Sequence, residues 1–291
     1  LALIAPGRSL ARQLELRFQD PRLRQLFGRY ATYVGGSPYA SPAVLGLISH
    51  SAARGVWRVK GGMNALAQAL RRLLEARGVE IRCNAAVTRL ELAQGRLTAV
   101  HTGAGRYPCQ EAVFNGEPRA LSQGLLGESA RRATPAKPLE ARSLSAHVWA
   151  FGSRVEGPDL AHDSVFFCAA PNREFGPIAE GRMPDDPTLS VCAQDRGTGE
   201  TPPDIERFEI IMNAPPISSG ARAPQETSLC RQRTFQTLER LGLRFKNPPP
   251  DRALTSPEGW ERLFPGSAGS LYGQSPHGMM AAFQRPRAKT A

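Results

Sequence analysis

The feature that most constrains this chain is a pair of glycines opening a long amphipathic helix. Gly61-Gly62 is followed by Met63 and then by Leu66, Leu70, Leu73 and Leu74. That i, i+4, i+7, i+8 spacing predicts a single apolar helical face. Asn64 is of a type that caps helix starts, and Gly78 stands where a helix-terminating glycine belongs. Residues 79–83, 86–92 and 96–101 then carry strand patterns, with Gln94-Gly95 as a tight hairpin turn between the last two. Residues 111–114 read as another short strand, ending at Asn115-Gly116. A glycine-led helix feeding strands is α/β in character.

The flanking segments differ. In residues 1–34, Leu10, Leu14 and Phe18, then Leu23, Leu26, Phe27 and Tyr30, recur at helical spacing. Pro21 divides two short helices, and Asp20 before it is a good N-cap. The apolar stretch 43–48 predicts a short helix, buried or lying at an interface. Beyond residue 135 the pattern turns to well-spaced strands at 143–151, 164–168, 188–194 and 207–213. Pro-, Gly- and Asp-rich connections separate them, and a helix follows over 229–243.

Composition narrows the function classes. With 41% hydrophobic and 22% charged residues the chain can build a core. No uncharged apolar run approaches the roughly 20 residues that span a bilayer. Four of the 37 basic residues are lysine, so the net charge of +11 rests on arginine scattered along the chain. No zinc-finger spacing, RNP-like aromatic motif or helix-turn-helix accompanies it, which argues against nucleic acid. A diffuse arginine excess suits an anionic membrane surface, as it suits simple compositional bias. Five dispersed cysteines without CxxC spacing argue against a disulfide scaffold and for a reduced intracellular setting. Five equally dispersed histidines offer no metal site by local spacing. There is no P-loop, GxSxG or HExxH, and no GxGxxG follows a strand.

Longer-range similarity carries more. Gly55-Val56-Trp57-Arg58-Val59-Lys60-Gly61-Gly62-Met63, its helix and Gly78-Val79-Glu80-Ile81 resemble the interior of carotenoid desaturases related to bacterial phytoene desaturase, within the amine oxidase-like flavoproteins. In the same order, Ala86-Val87-Thr88-Arg89-Leu90 resembles the second strand of their FAD domain, and Ala112-Val113-Phe114-Asn115-Gly116 a following cofactor segment. His162-Asp163-Ser164-Val165-Phe166-Phe167, Asp186-Pro187-Thr188 and Cys192-Ala193-Gln194-Asp195-Arg196 resemble the substrate domain. Ser267 to Gly273, Pro276-His277-Gly278 and Phe283-Gln284-Arg285-Pro286 resemble the approach to the last FAD motif. The segments at 162–167 and 192–196 are most similar to the branch that forms the 3,4 double bond of 1-hydroxylated acyclic carotenoids.

The resemblance implies a partial Rossmann-like FAD/NAD(P)-binding α/β domain with an inserted α+β substrate domain. It implies an interior fragment lacking N- and C-terminal parts, including the pyrophosphate-binding glycine loop, and so binding FAD poorly when isolated. Residues 1–53 then form a helical, membrane-facing part, 54–122 part of the FAD domain, 123–264 the substrate domain, and 265–291 the return to the FAD domain. The implied partners are a carotenoid and, peripherally, a membrane surface. Neighbouring implications are a phytoene desaturase, carotene isomerase or ketolase, or a non-catalytic polyene-binding protein.

The implied site residues each have a plainer alternative. Gly61, Gly62, Val87 and Asn115 would face FAD, but a tight turn, a buried strand valine and a generic turn look the same in sequence. Arg58 and Lys60 suit a flavin or lipid-facing mouth, or simple solvation. Trp149, Phe151, Phe166, Phe167 and Tyr272 would line a polyene tunnel, or pack an ordinary core. Asp195 and Arg196 are the candidates for reading a substrate hydroxyl or assisting proton removal, or else form a salt-bridged turn. His162 is a structural strand-end histidine or a ligand.

Overall fold

The computed structural model describes residues 7–134, 141–217 and 224–281. Its helices are α1 (Leu10–Arg17), α2 (Pro21–Gly28), α3 (Leu47–Ala52), α4 (Met63–Ala76), α5 (Pro118–Ser122), α6 (Pro171–Ala179), α7 (Pro224–Arg240) and α8 (Pro257–Leu263). Its strands are β1 (Val87–Ala93), β2 (Arg96–Thr102), β3 (Gly105–Pro108), β4 (Ser145–Ser153), β5 (Val155–Glu156), β6 (Asp163–Phe166), β7 (Leu189–Ala193), β8 (Glu206–Ala214), β9 (Arg244–Phe245) and β10 (Leu254–Thr255). Described residues 7–46, 141–217 and 224–281 form one unit and 47–134 a second. Among the described residues no helix is long and apolar enough to cross a membrane. The segment Phe283-Gln284-Arg285-Pro286 lies outside the described residues.

The larger unit is built on an antiparallel sheet ordered β10-β4-β8-β7-β6. The long pair runs in unbroken register from Ser145 opposite Ala214 to Ser153 opposite Glu206. Because side chains alternate along a strand, one face collects Trp149, Leu189, Val191, Phe208, Ile210 and Met212. Leu238 of α7 and Leu243 beyond it close this core, with Phe151, Phe235 and Phe245 packed edge-to-face around it. Burying each such side chain stabilises the fold by roughly 1.5–3 kcal/mol.

The helical segment of the same unit follows its caps. Ser9 accepts from Arg12 N–H at the start of α1, and Asp20 from Arg22 N–H before Pro21 of α2. Leu10, Leu14 and Ala31 make a small core there, with Phe18 stacked on Phe27. Gly35, at φ +73°, lets this segment meet β4: a side-chain carbon there would lie 2.6 Å from Ser143 Cβ. Leu144 N–H donates to its carbonyl at 2.8 Å.

The smaller unit holds α4, capped by Gly62 rather than Asn64, which falls inside the helix. Gln94 and Gly95 both take positive φ and turn β1 into β2, as the hairpin pattern predicts. Residues 105–108 add the third strand, which the sequence pattern misses. Residues 118–133 pack Leu121, Leu126 and Ala130 against Leu90 of β1, and Leu90 N–H donates to Leu126 C=O at 2.9 Å.

Two expected strands do not form. Residues 79–83 and 111–114 have apolar side chains at suitable positions but no ladder partner among the described residues. An extended segment becomes a strand only when a neighbour takes its backbone hydrogen bonds. Val113 is accordingly 97% exposed.

Candidate active site

In the smaller unit, the expected cofactor residues lie at the opening of α4, at the start of β1 and in an irregular segment. Gly61 and Gly62 adopt φ of +84° and +82°, and no side chain caps the helix they open. A side-chain carbon at Gly62 would meet nothing within 4 Å. The bare backbone there is open to a large group, and the helix N-terminus favours an anionic one. Val87 begins β1, an edge strand, and is partly exposed. Asn115 follows residues that are not a strand, so it ends no ladder. Of the expected cofactor residues, Gly62 thus has open space beside its backbone, and Val87 lies on a strand with one free edge. Arg58 and Lys60 lie beside them on the chain.

In the larger unit, the aromatic candidates separate by sheet face. Trp149 is 1% exposed and packs edge-on against Phe235, while Phe166 and Phe151 pack against the same core. All three pack on the core face of the sheet, Trp149 and Phe151 against Phe235 of α7. Phe167 is different. It lines a cavity of about 200 Å³ together with Leu14, Tyr39 and Phe175, and with the polar Gln25 and Glu174 at its wall. Tyr272 is also held open, its N–H donating to Ser143 Oγ at 3.0 Å while its ring lies against Gly35.

Beside this cavity is a polar arrangement that the sequence pattern misses. Arg29, following α2, reaches Glu174 of α6 at 3.5 Å and donates to Ser190 Oγ at 2.8 Å. Asn213 Nδ2 donates to the same Glu174 carboxylate at 2.8 Å. The pair is buried, with Glu174 and Arg29 side chains 2% and 10% exposed. Burial pushes the phenols of Tyr33 and Tyr272 up, opposed in both by the Arg29 charge. Tyr30 adds an aromatic ring 5.2 Å from Tyr33. Nothing local foretells this group, since Arg29 and Glu174 stand 145 positions apart.

Asp195 and Arg196 do not pair with each other, and each is consumed by a structural partner. Asp195 accepts from Arg207 N–H at 2.7 Å and from its guanidinium at 3.0 Å, which holds the carboxyl below its ordinary range. Arg196 grips Glu206 with two nitrogens, at 2.6 and 2.9 Å, and reaches Asp159 at 3.1 Å. These contacts fasten the β7–β8 connection at both ends. Both contacts match the salt-bridged alternative that the sequence leaves open for these residues. His162, by contrast, lies with Asp163 and Cys192, their ligand atoms all within 4.8 Å of one another, although spacing alone offered no metal cluster. All five cysteines are free thiols.

Residues 7–153 match the family described as flavin containing amine oxidoreductase. Over 289 residues, 99% of this chain, the sequence is 51% identical to the hydroxyneurosporene desaturase of Cereibacter sphaeroides, of which it covers 58%. It is 41% identical to the enzyme of that name from Rubrivivax gelatinosus, over 98% of this chain and 55% of the relative. A 4,4'-diapolycopene oxygenase of a Methylomonas species is 31% identical over 81% of this chain and 48% of its own length. The chain thus spans somewhat more than half the length of the desaturases it matches. A solved oxidoreductase from Methanosarcina mazei shares the fold, with a TM-score of 0.57 at 15% identity, covering 96% of this chain and 68% of that one.

Proposed function

This chain belongs to the flavin containing amine oxidoreductase family, and from that premise we propose that the protein carrying it is an FAD-dependent carotenoid desaturase. Its reaction introduces the 3,4 double bond into a 1-hydroxylated acyclic carotenoid. The observation that carries this reading is the collinear likeness to hydroxyneurosporene desaturases along nearly the whole chain.

On this reading the smaller unit belongs to the flavin-binding part and the larger unit supplies the substrate part. Gly61, Gly62, Val87 and Asn115 would hold FAD through backbone groups. When bound there, the flavin would supply the acceptor for a hydride leaving an allylic carbon. The neighbouring carbon loses a proton as the double bond forms, so two hydrogens depart for each bond introduced. The side chains have positioning work rather than covalent work: Phe167, Tyr39 and Phe175 form an apolar wall that orders a polyene and keeps water away. Tyr272 and Tyr33 flank the approach. The polar wall at Glu174, Gln25 and Arg29 suits a chain end bearing a hydroxyl, because a site built to bond a hydroxyl rejects analogues without one.

A polyene insoluble in water must be met at a bilayer. The exposed Leu16, Leu23 and Leu26 of the N-terminal helices, interleaved with Arg12, Arg17, Arg22 and Arg24, suit peripheral docking on anionic lipid. Sedimentation with anionic vesicles at low salt should carry the protein down, and replacing the three leucines by serine should release it.

The reaction itself is tested by mixing the flavin-loaded protein anaerobically with a 1-hydroxylated acyclic carotenoid. The flavin absorbance band should bleach with the hydroxylated substrate and far less with its unhydroxylated counterpart. A band left intact by both would overturn the proposal.

A further inference from the structure

His162, Asp163 and Cys192 are brought together by strand pairing. In the β6–β7 ladder Asp163 stands directly opposite Cys192, so both side chains rise from the same face of the sheet. Ala193 N–H donates to the His162 carbonyl at 2.7 Å and fixes the residue before β6 against the end of β7. The imidazole Nδ1 then lies 2.9 Å from Asp163 Oδ2 and 3.6 Å from Cys192 Sγ.

The sulfur–nitrogen separation is that of a coordination shell, while Nδ1 and Oδ2 stand at hydrogen-bond distance, a contact that a bound metal would replace. Zinc binds sulfur at about 2.3 Å and imidazole nitrogen at about 2.0–2.1 Å in a tetrahedron, which puts sulfur and nitrogen about 3.5 Å apart. The donors are a thiol, an imidazole and a carboxylate, a mixed set that favours a borderline-soft dication over calcium or magnesium. Gln194 Nε2 donates to Cys192 Sγ at 3.3 Å, the kind of outer contact that steadies a ligating sulfur. Glu209 stands opposite Cys192 on β8, extending the row Asp163, Cys192, Glu209 with a second acidic group. Asp163, 78% exposed at its side chain, leaves the cluster open to solvent for metal entry.

We propose that His162, Asp163 and Cys192 form a binding site for a thiophilic divalent cation of the zinc class, with solvent at the fourth position. The site clips β6, a four-residue edge strand, to β7. The proposal does not rest on the flavin chemistry.

Cobalt(II) tests this directly, because a thiolate–cobalt bond gives a near-ultraviolet charge-transfer band and tetrahedral coordination gives visible bands. The 291-residue chain, kept reduced, should take one equivalent of cobalt with both signatures, and zinc should displace it. Cys192→Ser should abolish the charge-transfer band and weaken binding at least 100-fold, whereas Cys83→Ser, at an exposed thiol outside the cluster, should leave both unchanged. Asp163→Asn, a change at an exposed side chain, should keep the native circular dichroism and weaken binding at least 10-fold. Absence of a charge-transfer band in the parent chain, or its persistence in Cys192→Ser, would overturn the proposal.

Discussion

The strand β8 and the helix α4 carry equally clear apolar patterns, yet the molecule treats them differently. In β8 the alternate residues Phe208, Ile210 and Met212 are buried against α7, none above 2% exposed. In α4 no residue is buried, and Leu66, Leu70, Leu73 and Leu74 remain between 38% and 51% exposed. Periodicity names an element and its apolar face, but burial needs a partner of matching shape. The larger unit supplies one to β8 within the described residues, and the smaller unit supplies none to α4.

Substitutions on the two elements put this contrast to the test. Phe208→Ala should cost about 3–5 kcal/mol in denaturant unfolding, because it leaves a cavity in a closed core. Glu174→Ala should cost about 3 kcal/mol, since it strands the Arg29 charge and the Asn213 amide away from water. A loss well under 1 kcal/mol would show that water reaches the pair.

A pH effect on stability is expected at His277. Its Nε2 accepts from Ser37 N–H at 2.9 Å, and burial lowers its pKa below the ordinary value of about 6.5. Below that value the unfolded chain takes up the proton first. Stability from this group is therefore full above about pH 6.5, falls towards the lowered folded pKa and levels off beneath it. His277→Gln should show a smaller drop in unfolding temperature between pH 7.5 and 5, and equal drops would contradict the assignment. The smallest effect belongs to α4, where Leu70→Ala should change stability by no more than about 0.5 kcal/mol. A loss as large as that of Phe208→Ala would erase the contrast.

Much of the fold was legible where the determinant is local. Asp20-Pro21 starts a helix, Gly61-Gly62 opens α4, and Gln94-Gly95 turns a hairpin, because backbone preference and capping act within a few residues. Four of the five strands of the large sheet are similarly visible by alternation, to within a few residues at their ends. What failed depends on distant partners. Residues 79–83 and 111–114 look like strands and lack a ladder, while Asn64 yields its capping place to Gly62 because the positive φ required there favours glycine. The site shows the same division. The open backbone at Gly61-Gly62 was foreseeable from composition, but Trp149 and Phe167 could be told apart only by sheet register and packing. The partner of Asp195, Arg207, is on the next strand and so invisible to local spacing, and the Arg29–Glu174 pair is closed by folding alone.

The central claim is the chemistry, and product analysis addresses it most directly. The gene carrying this chain, expressed in a host that accumulates 1-hydroxylated acyclic carotenoids, should yield a pigment two hydrogens lighter with its absorption shifted to the red. The new double bond should sit at the 3,4 position. An unchanged pigment profile, with the flavoprotein present and folded, would contradict the account.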